Sequence, residues 1–254
     1  MAEITIEHLR IDYPLYGSSR SLRKEFFERA AGGFISHERN GRRGRVVIKA
    51  LEDVSLHLAD GDRLALIGHN GAGKTTLLKA IAGIYEPVAG RVDVRGRLTP
   101  LFDTMPGLDV DDTGYENIVT AGLLLGLSRA EIEAAIPDIE RFSELGEYLS
   151  LPVRTYSAGM LTRLSFSVVT GLEPGILLMD EGIATGDAEF SERAARRMDE
   201  FIGRSHILVL ASHAEGLLQS LCNRAALMKS GRILKVGGVD EVLAAYHADI
   251  ERAA

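Results

Sequence analysis

An α/β fold built on a mostly parallel sheet is what the 254 residues predict. Three observations carry that expectation. Strand-like runs alternate with stretches of helical spacing along most of the chain. One strand–helix pair is joined by the glycine-rich segment Gly68–Thr75. The run Ile176-Leu177-Leu178-Met179 is wholly apolar, as a strand covered on both faces requires.

Taken in order, Ile4 to Leu9 alternates like a strand. Residues 17–44 break that rhythm. Within them Leu22, Phe26 and Ala30 are spaced for a short amphipathic helix over Leu22–Ala31, and Gly32, Gly33, Gly41 and Gly44 read as loop. Strand patterns resume over Val46–Leu58 and Arg63–Ile67. Leu77, Leu78, Ile81 and Ala82 then predict a helix that stops at Gly83, followed by a strand over Arg91–Val94. Ser128-Arg129-Ala130-Glu131 is a capping box that opens a further helix. Leu161, Leu164, Val168 and Val169 mark another, and His206–Ala211, Arg224–Met228 and Arg232–Val236 complete the strands. A largely helical region between about Phe102 and Thr170 interrupts the alternation.

Composition narrows the function class. Hydrophobic residues at 46% and charged residues at 26% are those of a folded globular chain rather than a disordered or coiled-coil one. At a rough ~150 residues per domain, the length allows one or two domains. The single cysteine, Cys222, forms no internal disulfide and reads as a buried, inert thiol. The N-terminus lacks a basic segment followed by an apolar one, so no signal peptide is expected. The longest mostly apolar stretch, Ile118–Leu127, falls short of the ~20 residues of a spanning helix. The net charge of −7 argues against a nucleic-acid partner. That charge is uneven: residues 17–45 hold eight basic and three acidic residues, a net +5, which leaves −12 on the rest.

Two motifs carry chemistry. Gly68-His69-Asn70-Gly71-Ala72-Gly73-Lys74-Thr75, with Thr76 behind it, fits the phosphate-loop pattern and stands between an apolar strand and an amphipathic helix. Such a loop turns backbone N–H groups toward phosphate oxygens at a helix N-terminus. Lys74 is then placed for the β- and γ-phosphates and Thr75 for Mg²⁺, while His69 fills a solvent-facing position. The second motif is Asp180-Glu181 at the end of the apolar strand, the edge at which open α/β sheets bind ligands. Asp180 suits Mg²⁺, and Glu181 suits a general base that polarises the attacking water.

Tyr156-Ser157-Ala158-Gly159-Met160 resembles the signature of ATP-binding-cassette (ABC) ATPases. The order of phosphate loop, signature, Asp180-Glu181, Asp187 and Ser212-His213 is that family's order, over nearly the whole chain. More narrowly, Leu151–Met160, Asp180–Phe190 and Thr113–Ile118 are similar to stretches of its polysaccharide-exporting members, which serve O-antigen, capsule or teichoic acid export. The resemblance implies a P-loop ABC fold over residues 1–254, a single nucleotide-binding domain. Its parts would be a RecA-like core, an antiparallel β subdomain, a helical subdomain over about 102–170 and a basic insertion over 17–45. It implies ATP and Mg²⁺ as cofactors. Tyr13 would stack on adenine, with Tyr16 as its rival; Ser157, Ala158, Gly159 and Met160 would contact the ATP of a partner chain. Asp187 would be the D-loop aspartate and His213 the switch histidine that touches the γ-phosphate. The Q-loop glutamine is absent; Asp103 or Thr104 stands in its place, and Asp103 is a further candidate for the metal.

The partners so implied are a second copy in a head-to-tail homodimer, a pair of membrane permease subunits and, through them, a lipid-linked glycan. The expected location is peripheral, at the cytoplasmic face of the inner membrane. Many O-antigen exporters carry a C-terminal carbohydrate-binding domain, which a chain ending at Ala254 would lack. The ATPase of another ABC transporter and a soluble ABC ATPase remain as alternatives at this stage.

Overall fold

The computed structural model describes residues 1–15, 34–38, 45–102, 105, 107–180 and 188–253. They fall into two compact units, one of Met1–Gly96, Leu178–Glu181 and His206–Ala254, the other of Arg97–Leu177 and Gly182–Ser205.

The first unit holds an antiparallel sheet of β1 (Glu3–Leu15), β2 (Phe34–Glu38), β3 (Arg45–Ala59) and β5 (Ala89–Arg95), in the order β2-β3-β1-β5. In β1 the buried residues are Ile4 and Ile6, then Leu9 and Ile11, so the alternation slips by one place. In β3 it slips likewise between Leu51 and Val54. An extra residue in each strand absorbs the slip. His8 and Asp53 take left-handed φ values of 48° and 55°, and the β1–β3 register shifts between Ile6 and Leu9. The His8 N–H donates to Ser55 Oγ at 3.0 Å, and His8 Nδ1 meets Asp53 Oδ1 at 2.7 Å. The strand β2 corrects the reading that residues 17–44 break the strand rhythm throughout. The long β3 offers an open edge, and Phe34-Ile35 carries the β preference to pair with it, Ile35 opposite Ile48. The helix expected over Leu22–Ala31 lies outside the described residues.

The unit's second sheet runs β10 (Arg232–Gly237), β9 (Arg224–Lys229), β4 (Arg63–Ile67), β8 (Ile207–Ala211), β7 (Ile176–Asp180). The strand β4 is parallel to both β8 and β9, and only β10 is shown antiparallel, against β9. Residues 64–67, 207–211 and 176–179 are all buried, which is why these strands read as unbroken apolar runs. The helices α1 (Lys74–Ile81), α6 (Glu215–Leu221) and α7 (Val239–Ala253) complete the unit. Cys222, after α6, is only half-buried; its surroundings still push the thiol up to about 12, so it stays protonated and inert.

The second unit is mainly helical: α2 (Gly114–Leu124), α3 (Arg129–Ser143), α4 (Ala158–Gly171) and α5 (Ala188–Arg204). The Ser128–Glu131 box caps α3 as the sequence predicts. A second box, Thr113 with Glu116, caps α2 and was legible by the same rule. The Ser128 backbone N–H, then Arg97, hold the Glu131 carboxyl down to about 2. Ile118, Ala121, Ile132, Ile139, Leu164 and Val168 form the core of the bundle. A short strand, β6 (Leu98–Leu101), is unpredicted because Pro100 argues against a strand.

An aromatic cluster ties α5 to the bundle. The Phe190 ring meets those of Phe142 and Phe166 at 5.5 and 5.7 Å. The Arg197 guanidinium lies 4.2 Å from the Phe142 ring centre, donates to Thr170 Oγ1 at 2.7 Å and pairs with Asp138. The start of the helix that follows Asp187 is therefore anchored at Phe190, two turns before Arg197.

Candidate nucleotide site

A cavity of about 450 Å³ in the first unit opens at the start of α1. Its floor is the segment Asn70–Thr76. The loop returns sharply from β4, and two glycines permit it. A Cβ on Gly68 would stand 2.3 Å from the Met228 carbonyl oxygen. Gly73 is the N-cap of α1 with φ 105°, and a Cβ there would press on Leu51 and the Ala50 carbonyl. The loop is buttressed from behind: Gly231 N–H donates to Ala72 O at 2.9 Å, and Glu52 N–H to Gly231 O at 2.9 Å.

Because its N-cap is glycine, α1 begins with no side-chain cap, and its first turn holds no acid. The first backbone N–H groups of a helix have no intrahelical partners, so this end presents donors and positive potential. Lys74, 9% exposed, adds a charge at the same place. Its Nζ donates to the Gly68 carbonyl at 2.6 Å and the His69 carbonyl at 3.2 Å. A buried cation held by the loop's own carbonyls, beside uncapped N–H groups, makes the cavity an anion site for more than one charge. His69 does not line the cavity; its Nδ1 donates to the Asn70 carbonyl at 2.7 Å.

The walls come from distant parts of the chain. Asp180, at the carboxyl end of β7, and His213, just past β8, both line the cavity. Ser212, 9% exposed, accepts the Ala214 N–H at 3.1 Å and so shapes the turn that carries His213. Thr75 and Asp180 supply hard oxygen donors, the type and small number that Mg²⁺ takes from protein when a polyphosphate supplies the others. Tyr13, Ile48 and Ala50 line the cavity as well. The Tyr13 hydroxyl donates to Thr76 Oγ1 at 3.3 Å, and its ring meets that of Tyr85 at 5.3 Å and 76°. Burial pushes the Tyr13 phenol up to about 12; the Thr76 hydroxyl pulls it down and Tyr85 pushes it up by smaller amounts. Ile48 was missed in the sequence although it is the cross-strand partner of Tyr13.

The remaining candidates divide in two. Ser157 is the N-cap of α4, its Oγ accepting the Met160 N–H at 3.2 Å. Ser157, Ala158 and Gly159 are exposed and Met160 is half-buried. Just before them Tyr156 is fixed, its hydroxyl donating to the Tyr148 carbonyl at 2.7 Å. Glu181, Asp187, Asp103, Thr104 and Tyr16 lie outside the described residues.

The family model described as "ABC transporter" matches residues 51–184. The O-antigen export system ATP-binding protein RfbE of Yersinia enterocolitica is 45% identical over 92% of this chain and 97% of its own length. The teichoic acids export ATP-binding protein TagH of Bacillus cereus is 30% identical over 96% of this chain but 42% of its own length. Among solved structures, the ATP-binding subunit of an ABC transporter shares the fold, with a TM-score of 0.66 at 24% identity over 96% of this chain and 93% of that one.

Proposed function

The chain belongs to the ABC transporter ATPase family, and from that premise we propose that it is the ATP-hydrolysing subunit of an exporter of a lipid-linked polysaccharide of the O-antigen or teichoic acid class. The observation that carries the polysaccharide reading is the 45% identity to the O-antigen export protein RfbE along almost the full length of both chains.

In this reading ATP places its triphosphate on the N–H groups of Asn70–Thr76, with Lys74 against the β- and γ-phosphates and the base beside Tyr13. Thr75 and Asp180 would hold Mg²⁺, with Asp103 as a further candidate ligand. When bound, the ion neutralises charge on the β- and γ-oxygens. Glu181 takes the proton of the attacking water, and His213 donates to the γ-phosphate. The chain carries one phosphate loop and one signature, so two copies arranged head to tail form two complete sites, with Ser157–Met160 of each on the other's nucleotide. Asp187 would be the D-loop aspartate, as the family resemblance implies. ATP favours the closed pair because it binds that state better than the open one, and hydrolysis releases the preference. The dimer drives a pair of permease subunits from the cytoplasmic face of the membrane. No described helix is long and apolar enough to cross it.

Deleting the gene in its own cell is expected to remove the surface polysaccharide while the lipid-linked glycan accumulates inside, and re-expression should restore it. Unchanged surface glycan after deletion would overturn the reading. The same assay tests the basic insertion of residues 17–45. Its net +5 on a −12 body suits an anionic leaflet or the phosphate of a lipid-linked substrate. Each basic residue near such a surface contributes ~1 kcal/mol. Replacing Arg20, Arg23, Lys24 and Arg29 together by glutamine should lower export severalfold and leave the ATPase rate of the isolated chain near normal. A lost ATPase rate would instead make the insertion a support of the nucleotide site.

A further inference from the structure

Tyr85 has no place in the motifs that mark this family's site, and it does not line the cavity. It follows α1 in a segment tied at both ends: Ile84 N–H donates to Lys79 O at 2.9 Å and Val88 N–H to Arg10 O at 2.9 Å. Those bonds fix the segment to α1, which carries Lys74 and Thr75, and to β1, which carries Tyr13. From there the Tyr85 ring meets the Tyr13 ring edge to face, with centres 5.3 Å apart and planes at 76°. The Tyr13 hydroxyl is held separately by Thr76 at 3.3 Å. Tyr13 is thus restrained at its ring by Tyr85 and at its tip by Thr76. A change of rotamer would break both contacts. A side chain that is already ordered loses little freedom when a ligand stacks on it.

We propose that Tyr85 is a positioning residue for nucleotide binding: it holds the Tyr13 ring in the orientation in which a nucleobase stacks on it, without touching the nucleotide itself. The proposal rests on the reading of Tyr13 as the base platform. It deepens that reading by dividing nucleotide affinity into a phosphate part set by the loop and a base part preset by the Tyr13–Tyr85–Thr76 contacts.

The test compares Mg-ATP with inorganic tripolyphosphate, which has the phosphates and no base, on the full chain. Tyr85→Leu is expected to weaken ATP about two- to tenfold, the equivalent of one side chain freed to be ordered again on binding. Tripolyphosphate affinity and the hydrolysis rate at saturating ATP should stay unchanged. Tyr85→Phe, which keeps the ring, should restore ATP affinity to near that of the parent. In a Tyr13→Ala background Tyr85→Leu should have no further effect, because residues that act through one contact are not additive. Equal losses for ATP and tripolyphosphate would make Tyr85 a support of the fold and overturn the proposal. So would an effect that persists without the Tyr13 ring, with the platform reading still standing. If Tyr13→Ala leaves ATP affinity unchanged, the platform reading falls first and the proposal with it.

Discussion

Replacing Lys74 by alanine is expected to weaken ATP binding by a factor on the order of a hundred to a thousand and to remove hydrolysis at micromolar nucleotide. The magnitude follows from the surroundings of the side chain. Lys74 is 9% exposed and lines a cavity that also presents the backbone N–H groups at the start of α1. Truncating one member of a buried charged pair typically costs ~2–5 kcal/mol. In the unliganded protein the effects oppose each other. The Gly68 and His69 carbonyls lose a donor, at 2.6 and 3.2 Å, while a buried cation is removed. The melting temperature without nucleotide should therefore change little. What should vanish is its rise on adding Mg-ATP, since a ligand stabilises only in proportion to its occupancy. A thermal shift titration reads both quantities at once. A Lys74→Ala protein whose melting temperature rises with micromolar Mg-ATP as much as the parent's would place the triphosphate elsewhere.

The parts of this site that could be read from the sequence are those in which one local rule decides the structure. The phosphate loop was legible because Leu64–Ile67 is an apolar run, the spacing of glycines and lysine is fixed, and the helical period starts at once behind it. Asp180 was legible for a related reason, since it closes a strand buried along its length. His213 was legible only through the family order of motifs, because a histidine after a buried strand is by itself no signal. Tyr13 was named through the family resemblance, which implies an aromatic after the first strand. Its neighbours were not, because they depend on pairing across distance. Ile48 faces it through a β1–β3 register that a segment of about thirty residues separates in sequence. Tyr85 reaches it through two backbone bonds that leave no trace in residue spacing. The bulges at His8 and Asp53 did leave a trace, the one-place slip from Ile6 to Leu9 and from Leu51 to Val54, which reading Ile4–Leu9 as a simple alternation passes over. The strand β6 stayed hidden because Pro100 argues against a strand, whereas β6 lies at a sheet edge, where proline is tolerated.

Glu181→Gln is expected to lower the hydrolysis rate by a factor of about 10²–10⁴, the usual contribution of a positioned general base, while ATP binding is kept. The amide has the shape of the carboxylate but accepts no proton at neutral pH. If Glu181 is the base, the change also removes a negative charge facing the triphosphate, so nucleotide affinity should hold or rise. The consequence reaches beyond the rate. The phosphate-loop cavity of one copy and the exposed Ser157–Gly159 at the uncovered start of α4 of another would meet on one nucleotide. Both present backbone N–H donors at a helix start, so a shared triphosphate would make their approach favourable. An ATP that cannot be hydrolysed should then hold the pair closed. Size-exclusion chromatography with Mg-ATP is expected to show Glu181→Gln as a dimer and the parent chain largely as a monomer. Two further changes separate the causes. Adding Lys74→Ala should return the dimer to monomer by removing the nucleotide. Adding Gly159→Asp should do so with the nucleotide still bound, since a carboxylate at that helix start repels the partner's phosphates. A Glu181→Gln chain that hydrolyses ATP at the parental rate would remove Glu181 from the role of base. A trapped dimer that survives Gly159→Asp would remove the signature from the interface.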